Sequence, residues 1–554
     1  MLRLLLFAWT LILFNAIGFG QKPYFQNKKF TLKDSLRGAL RPERTCYDVI
    51  SYDLNIKVEL DEKTIMGFVK VNFVAKEDFE WLQIDLDSTL NIYKIDYNQI
   101  ELKYTRVGDA IFVQFPKISK GHQHFFRVYW SGKIREAQNA PWDGGFVWDK
   151  DSKGNHWVGV ACEGDGASIW WPCKDHLSDE PDSMSISISV PNGYQAICNG
   201  NLISETNFGD THTKFTWNVS YPINTYNVTM YIGKYEHFRD VYTAADGEKL
   251  ALDYYVLPEN LSKAKKQFEQ VKGMLACYEK YLDKYPFWND GFALVETPYL
   301  GMEHQSAIAY GNKYKRGYLG GRNPKGIDFD YIIIHESGHE YFGNSVSCGD
   351  HAEMWLHESF TTYLESVYVE CTYSYDEMLR YINNQRFQIF NSEPIVGPKD
   401  VNYQDGQDNY FKGSWILHTL RNVIDNDEKW WAMFKGFYLQ QKLKITTTED
   451  FIRYVNKYTG KDFGAFFEQY LFNANIPTLE YQIEPIDKDN ISVRYRWKAD
   501  VSDLAMPVKV GNKKKYLTIY PKVGEWQSEK IACSIDDFSV AEELFLINSE
   551  IFRN

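Results

Sequence analysis

The sequence has no excess of positive charge, no closely spaced cysteine pairs and no long apolar run after its first twenty residues. Its 74 aspartates and glutamates outnumber its 61 lysines and arginines, and the net charge of -13 argues against a nucleic-acid partner, which would need a basic surface. None of the eight cysteines forms a Cys-x-x-Cys pair, which argues against a zinc site built from cysteine. Because no later apolar run approaches the length that spans a bilayer, stable membrane insertion is not expected.

The N-terminus carries the features of a secretory signal. Arg3 precedes an almost wholly apolar stretch, residues 4–17, and small residues follow at the spacing that a signal peptidase needs, so cleavage is predicted before Gln21. An uncleaved membrane anchor is the alternative, but the stretch is short for a span, which needs about 20 residues. The sequence therefore predicts a signal peptide at residues 1–20 and a secreted or periplasmic protein, with association at the cell surface left open.

The remaining residues divide into three regions by the period of their apolar residues. Alternation of apolar and polar residues predicts strands over about 47–235, helical periodicity follows over about 261–471, and alternation returns after Pro477. Within the central region, helices are predicted over residues 264–281, 331–346, 355–372, 375–391, 414–424 and 448–458. The chain is therefore predicted to be a multidomain α+β protein, with an N-terminal all-β domain (40–240), a mainly helical domain (241–475) and a small C-terminal β domain (476–554).

The strongest motif, His-Glu-Ser-Gly-His, occupies residues 335–339. Residues four apart share one face of a helix, so the imidazoles of His335 and His339 can bind one metal ion, while Glu336 stands beside it as a general base. Glu358 follows in a second predicted helix, which completes a His, His, Glu set for one Zn²⁺. Three protein ligands leave one position open, which is typical of a catalytic zinc. The motif therefore predicts a metal-dependent peptidase.

Other segments extend the motif into a family pattern. Residues 170–175 read Trp-Trp-Pro-Cys-Lys-Asp, and residues 222–226 read Pro-Ile-Asn-Thr-Tyr. Glu358 lies in a Trp-Leu-His-Glu sequence, with eighteen residues between it and His339. In this order they resemble the gluzincin zinc aminopeptidases, the family of alanyl aminopeptidase and leukotriene hydrolase. The resemblance covers most of the chain after the signal. It implies a thermolysin-like catalytic domain, one Zn²⁺ and peptide substrates with a free N-terminus.

The resemblance also implies a group that restricts cleavage to the first peptide bond. Family members carry Gly-x-Met-Glu-Asn shortly before the zinc helix, and this chain has Leu300, Gly301, Met302, Glu303 and His304. In the family the glutamate binds the α-amine of the substrate, which assigns Glu303, with Gly301 and Met302, to substrate binding. A buried ammonium must be paired, and fixing it beside the metal leaves only the first bond within reach. Leu300 and His304 depart from the family pattern and leave the substrate preference open.

Two more site residues follow from the resemblance. Relatives place Gln or Glu about ten residues before the cysteine of the Trp-Trp-Pro-Cys segment, and here that position is Glu163, which would join Glu303 around the amine. The family also places a tyrosine in a Tyr-x-Lys-Gly sequence, which here is Tyr410. Its hydroxyl would donate a hydrogen bond to the oxyanion of the tetrahedral intermediate.

Two alternative functions stay open from the sequence alone. A zinc endopeptidase of the thermolysin type would not need Glu303 or Glu163, and acetylating the substrate's amine would not affect it. A non-catalytic binding protein on the same fold would be expected to have lost a ligand or the base, whereas Glu336, Glu358 and Tyr410 are all in place. No motif indicates the oligomeric state or the preferred first residue of the substrate.

The sequence also predicts a disulfide and the shape of the cleft. Among the eight cysteines, Cys162 and Cys173 are the first candidates for a disulfide. Long family members add a large helical domain after the small β domain, so the resemblance implies a more open cleft in a chain that ends at Asn554.

Overall fold

The computed structural model describes residues 23–26, 28–403 and 406–553, so the predicted signal peptide lies outside the described residues. A β-rich N-terminal part, a helical centre and a C-terminal β part follow one another along the chain, which confirms the predicted α+β fold class. The domain boundaries given above remain predictions. No helix among the described residues is both long and apolar enough to cross a membrane.

The N-terminal part is built on mostly antiparallel strands, although two of them, Tyr47–Glu59 and Ser183–Pro191, pair in parallel. Three short helices precede them: α1 (Pro23–Gln26), α2 (Leu32–Gly38) and α3 (Pro42–Thr45). The strands are β1 (Tyr47–Glu59), β2 (Thr64–Ala75), β3 (Phe79–Asp85), β4 (Asn91–Tyr97), β5 (Ile100–Glu101), β6 (Tyr104–Val107), β7 (Ala110–Ile118), β8 (Gln123–Lys133), β9 (Gly145–Lys150), β10 (His156–Ala161), β11 (Ser183–Pro191), β12 (Gln195–Cys198), β13 (Asn201–Phe208), β14 (His212–Val219) and β15 (Met230–Gly233).

These strands form three sheets around one core. The largest has the order β13-β14-β11-β1-β2-β8-β4-β5, and the others are β12-β15-β10-β9 and β3-β7-β6. Buried and half-exposed residues alternate along β8, as expected for a sheet with one face on the core. Trp130, Trp170 and Trp171 are fully buried, which places the Trp-Trp-Pro-Cys segment inside the N-terminal part.

The central part combines a small sheet with most of the helices. Its sheet has the order β16-β17-β18-β20-β19, from β16 (Glu236–Thr243), β17 (Lys249–Val256), β18 (Phe292–Glu296), β19 (Gly301–Met302) and β20 (Ile308–Tyr310). The helices are α4 (Leu261–Gln267), α5 (Gln270–Tyr281), α6 (Tyr331–His339), α7 (Trp355–Thr372), α8 (Tyr375–Gln385), α9 (Phe411–Ile424), α10 (Asp427–Gln441), α11 (Thr448–Thr459) and α12 (Gly464–Leu471), and β21 (Val346–Cys348) pairs with β22 (Lys444–Thr446).

The C-terminal part contains seven strands in two sheets. They are β23 (Thr478–Asp487), β24 (Asn490–Lys498), β25 (Val508–Asn512), β26 (Lys515–Ile519), β27 (Gln527–Ile531), β28 (Phe538–Val540) and β29 (Asn548–Ile551). The sheet orders are β27-β24-β23-β29 and β26-β25-β28. Arg386, at the end of α8, donates hydrogen bonds to the carbonyl oxygens of Phe545 and Ile547, so this part is tied to the helical centre.

Three of the predicted helices are divided or end early in the structure. The helix predicted over 264–281 is divided into α4 and α5, the one predicted over 331–346 ends at His339, and the one predicted over 375–391 ends at Gln385. After His339 the chain turns through Gly343, whose φ of +128° is rarely adopted by residues with a side chain. The turn leaves the carbonyl oxygen of Phe342 outside a helix, where it can accept a hydrogen bond from a side chain.

The structure contains one disulfide among the described residues, between Cys277 on α5 and Cys371 on α7. The expected pair of Cys162 and Cys173 is wrong, because both are free, buried thiols. Cys162 directs its sulfur to the carbonyl oxygen of Tyr226 at 3.2 Å instead. The disulfide fastens α5 to the helix that carries Glu358.

Candidate functional site

Helices α6 and α7 pack closely and carry the three predicted metal ligands. Asp330 begins α6 as its N-cap, accepting hydrogen bonds from the backbone N–H groups of Ile332 and Ile333. Gly338 lies where α6 meets α7, and a Cβ added there would stand 3.0 Å from Cγ2 of Thr361. The absence of a side chain at Gly338 therefore lets α7 approach α6 closely enough for both helices to share one site.

The two imidazoles of α6 and the carboxylate of Glu358 converge on one point. Nε2 of His335 and Nε2 of His339 are 3.2 Å apart, and Oε2 of Glu358 lies 3.6 Å and 3.4 Å from them. All three side chains are buried. Oε2 of Glu358 has no hydrogen-bond partner among the described residues, although it is fully enclosed. Three donor atoms around one point are the arrangement that a catalytic zinc needs.

The far nitrogens of both imidazoles are held by acceptors. Nδ1 of His335 donates to Oε1 of Glu365 at 2.7 Å, and Nδ1 of His339 donates to the carbonyl oxygen of Phe342 at 3.0 Å. A protonated Nδ1 leaves the lone pair on Nε2, so both rings present an acceptor atom to the metal position. The turn that ends α6 early therefore contributes to the site, because it exposes the carbonyl oxygen of Phe342 that orients the ring of His339.

The carboxylates around the three ligand atoms favour a positive charge at this point. Burial alone would raise the pKa of Glu358, but the imidazoles of His339 and His335 hold it well below its usual range. Burial would lower the pKa of His335, whereas its contacts with Glu358 and Glu365 raise it well above 6.5. A Zn²⁺ ion would satisfy the unpartnered oxygen of Glu358 and both Nε2 atoms together. The residues present therefore fit one zinc ion.

Replacing Glu365 by glutamine is expected to weaken zinc binding about 10- to 100-fold, because His335 would lose the carboxylate that fixes its tautomer and orientation. Competition for zinc with a coloured chelator measures the affinity without any enzyme assay. The matched control is Glu377→Gln on α8, where the carboxylate pairs with Arg380 away from the metal ligands. Equal zinc affinities for Glu365→Gln and the unaltered protein would contradict this role.

Glu336 and Glu303 lie next to each other beside the metal ligand His339. Ligand atoms of Glu303, Glu336 and His339 lie within 4.8 Å of one another. Gly301 permits the approach, because a Cβ added there would stand 2.6 Å from Oε1 of Glu336. Burial raises the pKa of Glu336 to about 7. Met302 is buried in the adjoining strand β19. The structure thus brings the Gly-Met-Glu segment directly against the zinc helix.

Glu163 joins Glu303 at the same end of the cleft. Oε1 of Glu303 accepts a hydrogen bond from the hydroxyl of Tyr226 at 3.1 Å, and its backbone carbonyl accepts one from Asn344 at 2.7 Å. Burial raises the pKa of Glu163 well above 4.5, and the nearby Glu303 adds to the shift. Burial also raises the pKa of Glu303. Crowded, buried carboxylates of this kind are stabilised by a positive charge between them.

Tyr410 lies beside the zinc ligand His335, just before α9. Its ring stacks against that of His335, with 6.1 Å between the ring centroids. Burial and the nearby Glu358 raise the pKa of Tyr410 well above 10, so its hydroxyl keeps its proton and can donate a hydrogen bond. Gly413 lets the start of α9 pack directly against α7, because a Cβ there would overlap the hydroxyl of Ser359 on α7. Lys412 turns away and donates to the carbonyl oxygen of Ala474 at 2.6 Å.

The two departures from the family pattern lie in different environments. Leu300 lines the cleft. His304 is fully buried and donates from Nδ1 to the hydroxyl of Tyr231 at 2.6 Å. Burial lowers the pKa of His304 to about 3, so the ring is neutral. Of the two residues, only Leu300 is positioned to contact a substrate.

His357 also points into the core, where its Nε2 accepts a hydrogen bond from the backbone N–H of Cys348.

One cavity of about 710 Å³ is lined by the three metal ligands together with Glu336, Glu303, Glu163 and Tyr410. Two residues that support this site, Glu365 beside His335 and Tyr226 beside Glu303, were not predicted from the sequence. A signal for Glu365 was present, since it follows Glu358 by seven residues and therefore lies two helical turns along the same face of α7. Tyr226 ends the Pro-Ile-Asn-Thr-Tyr segment, but its contact with Glu303 could not be predicted, because only the fold brings the end of the N-terminal part against Glu303.

Comparison with known proteins points to one family along most of the chain. The peptidase M1 N-terminal domain matches residues 49–227, and the peptidase family M1 domain matches residues 266–470. The chain is 22% identical over 446 residues to probable aminopeptidase 1 of Sulfurisphaera tokodaii, a match that covers 77% of this chain and 54% of the relative. It is 24% identical over 302 residues to human endoplasmic reticulum aminopeptidase 1, covering 51% of this chain and 31% of that protein.

The fold agrees with solved structures of the same family. An M1 zinc metallopeptidase from Deinococcus radiodurans, crystallised as a mutant bound to a Tyr-Ser-Ala substrate, superposes with a TM-score of 0.66 at 18% identity and covers 81% of this chain and 98% of that chain. This chain spans about half of the length of the archaeal aminopeptidase it matches. The two family domains together span more than half of the sequence and enclose the zinc-binding residues, and the chain therefore belongs to peptidase family M1.

Proposed function

We propose that the protein is a secreted or periplasmic zinc aminopeptidase that hydrolyses the N-terminal bond of peptides. The observation that carries the proposal is the position of Glu303 and Glu163, whose carboxylates share one cleft with His335, His339 and Glu358. The names of its relatives, which are aminopeptidases, support the same activity. An α-ammonium bound between Glu303 and Glu163 would offset the repulsion between the carboxylates and hold the first peptide bond beside the metal ligands.

Each of the other residues of the cleft has a different role in the hydrolysis. Zinc held by His335, His339 and Glu358 would supply a Lewis acid that polarises the scissile carbonyl and activates water. Glu336 takes the proton from the attacking water and delivers it to the leaving amine. Tyr410 donates its hydroxyl to the oxygen of the scissile carbonyl as negative charge develops there.

Glu303 is the residue that separates this proposal from a thermolysin-type endopeptidase. Replacing it by glutamine is expected to lower kcat/KM on peptides with a free N-terminus by about 10- to 100-fold, because the charged partner of the ammonium is lost. The rates are measured on a panel of amino-acid amides and short peptides. Glu259→Gln, at an exposed position outside the cleft lining, is the control. Unchanged kcat/KM in Glu303→Gln, with zinc content retained, would contradict the aminopeptidase assignment.

A further inference from the structure

Arg322 is the one lysine or arginine among the described residues that line the cleft. It lies in the loop between β20 and α6, where the side chain is exposed at the cleft mouth. Among the described residues, no carboxylate forms an ion pair with its guanidinium. A fixed positive charge in an otherwise acidic cleft is therefore available for an anionic group of a ligand.

The loop holds Arg322 in a defined place. Tyr318 and Gly321 exchange two backbone hydrogen bonds of 2.9 Å and 3.0 Å, and Asn384 of α8 donates to the carbonyl oxygen of Arg322 at 2.9 Å. The guanidinium carbon stands 4.0 Å from the ring centroid of Tyr318, in the geometry of a cation–π contact. Hydrogen bonds thus hold the backbone at Arg322, and its side chain lies over the ring of Tyr318.

A run of aromatic contacts relates Arg322 to the metal site. The ring of Tyr318 packs edge-on against Tyr331 at 5.5 Å, and Tyr331 stacks on His335 at 5.2 Å. With the 4.0 Å step from Arg322 to Tyr318, the guanidinium lies no more than about 15 Å from the ring of His335. An extended peptide advances about 3.3–3.6 Å per residue, so this distance spans at most about four residues.

The two ends of helix α6 indicate the direction in which a bound peptide runs along the cleft. Glu303 is grouped with His339 at the C-terminal end of α6, whereas Tyr331 and Tyr318 stand at its N-terminal end, beside His335. A peptide whose amine is bound by Glu303 passes the metal ligands and continues towards Arg322. The cleft is therefore negative where the substrate begins and positive beyond the bond that is cut.

We propose that Arg322 binds a carboxylate of the substrate located one to three residues after the scissile bond. The carboxylate is either the C-terminus of a short peptide or the side chain of an aspartate or glutamate, since both offer the paired oxygens that a guanidinium binds. The inference rests on the proposed aminopeptidase function and adds a substrate class to it, namely short or acidic peptides.

The test compares substrates that share one N-terminal residue, chosen as the residue released fastest from amino-acid amides. The first pair is X-Gly-Gly with a free C-terminal carboxylate and X-Gly-Gly-amide. The second pair is X-Glu-Gly-amide and X-Gln-Gly-amide. In the unaltered protein, kcat/KM is expected to be about 10-fold higher for the charged member of one pair or both, and the pair that responds identifies the source of the carboxylate.

Substitutions then assign the preference to the side chain. Arg322→Gln is expected to reduce the ratio of kcat/KM for the charged substrate to kcat/KM for the neutral one about 10-fold, to near one. Arg322→Lys is expected to retain part of this ratio. Arg316→Gln, in the same loop but paired with Asp328 outside the cleft lining, is expected to keep the full ratio. An unchanged ratio in Arg322→Gln, or equal rates within both pairs for the unaltered protein, would overturn the inference while amino-acid amides are still hydrolysed. Failure to hydrolyse any amide would overturn the proposed function itself.

Discussion

Replacing Glu336 by glutamine is expected to lower kcat by about 10²- to 10⁴-fold, the range that a positioned general base contributes. Glutamine has nearly the same shape and fills the same space beside Gly301, but it cannot take a proton from the attacking water. Because Glu336 is not among the three residues that converge on the metal position, the zinc content should stay at one ion per chain. The measurement is kcat on the best amino-acid amide, with zinc determined on the same sample.

The companion variant for Glu336→Gln is Glu259→Gln, which removes a carboxylate outside the cleft lining and should leave kcat unchanged. Full activity in Glu336→Gln would show that another group moves the proton. A loss of zinc together with activity would show instead that Glu336 holds the metal, as its grouping with Glu303 and His339 would allow.

Replacing Tyr410 by phenylalanine is the second large effect, an expected fall in kcat of about 10²- to 10³-fold. The ring should keep its stacking on His335, so the only loss is the hydroxyl. An interaction made mainly in the transition state lowers kcat while KM stays nearly constant. Steady-state kinetics on one amide substrate separates the two constants.

An exposed tyrosine serves as the control for Tyr410→Phe. Tyr520, which is 66% exposed in the C-terminal part, loses its hydroxyl without consequence for the cleft, so Tyr520→Phe should match the unaltered protein. If Tyr410→Phe instead raised KM and left kcat unchanged, Tyr410 would contribute to substrate binding and the oxyanion would need another donor.

The metal ligands could be predicted from the sequence because their geometry is local. The helical repeat places His335 and His339 on one face, and α7 has the predicted bounds, Trp355–Thr372, with Glu358 in its first turn. The predicted zinc ion is confirmed by the way these three side chains converge and by the family to which the chain belongs. The roles of Glu336, Tyr410, Glu303 and Glu163 stay predictions, although all four residues line the same cavity.

The supporting interactions could not be predicted because they depend on contacts between distant segments. The early end of α6 depends on the turn at Gly343, and that turn supplies the carbonyl that orients His339. The burial of His304 depends on Tyr231 in strand β15, more than seventy residues earlier. Arg322 carried no motif at all, and only its position over Tyr318 brings it to the cleft. Periodicity reveals the helices and strands, but not which side chain a turn directs into the site.

The most direct test of the account follows the products from one short peptide with a free N-terminus and from the same peptide acetylated at that position, by mass spectrometry over time. Binding of the ammonium by Glu303 and Glu163 predicts release of the first residue, then the second, from the free peptide, and no cleavage of the acetylated one. Internal cleavage, or equal cleavage of both peptides, would contradict the assignment of this site to an aminopeptidase.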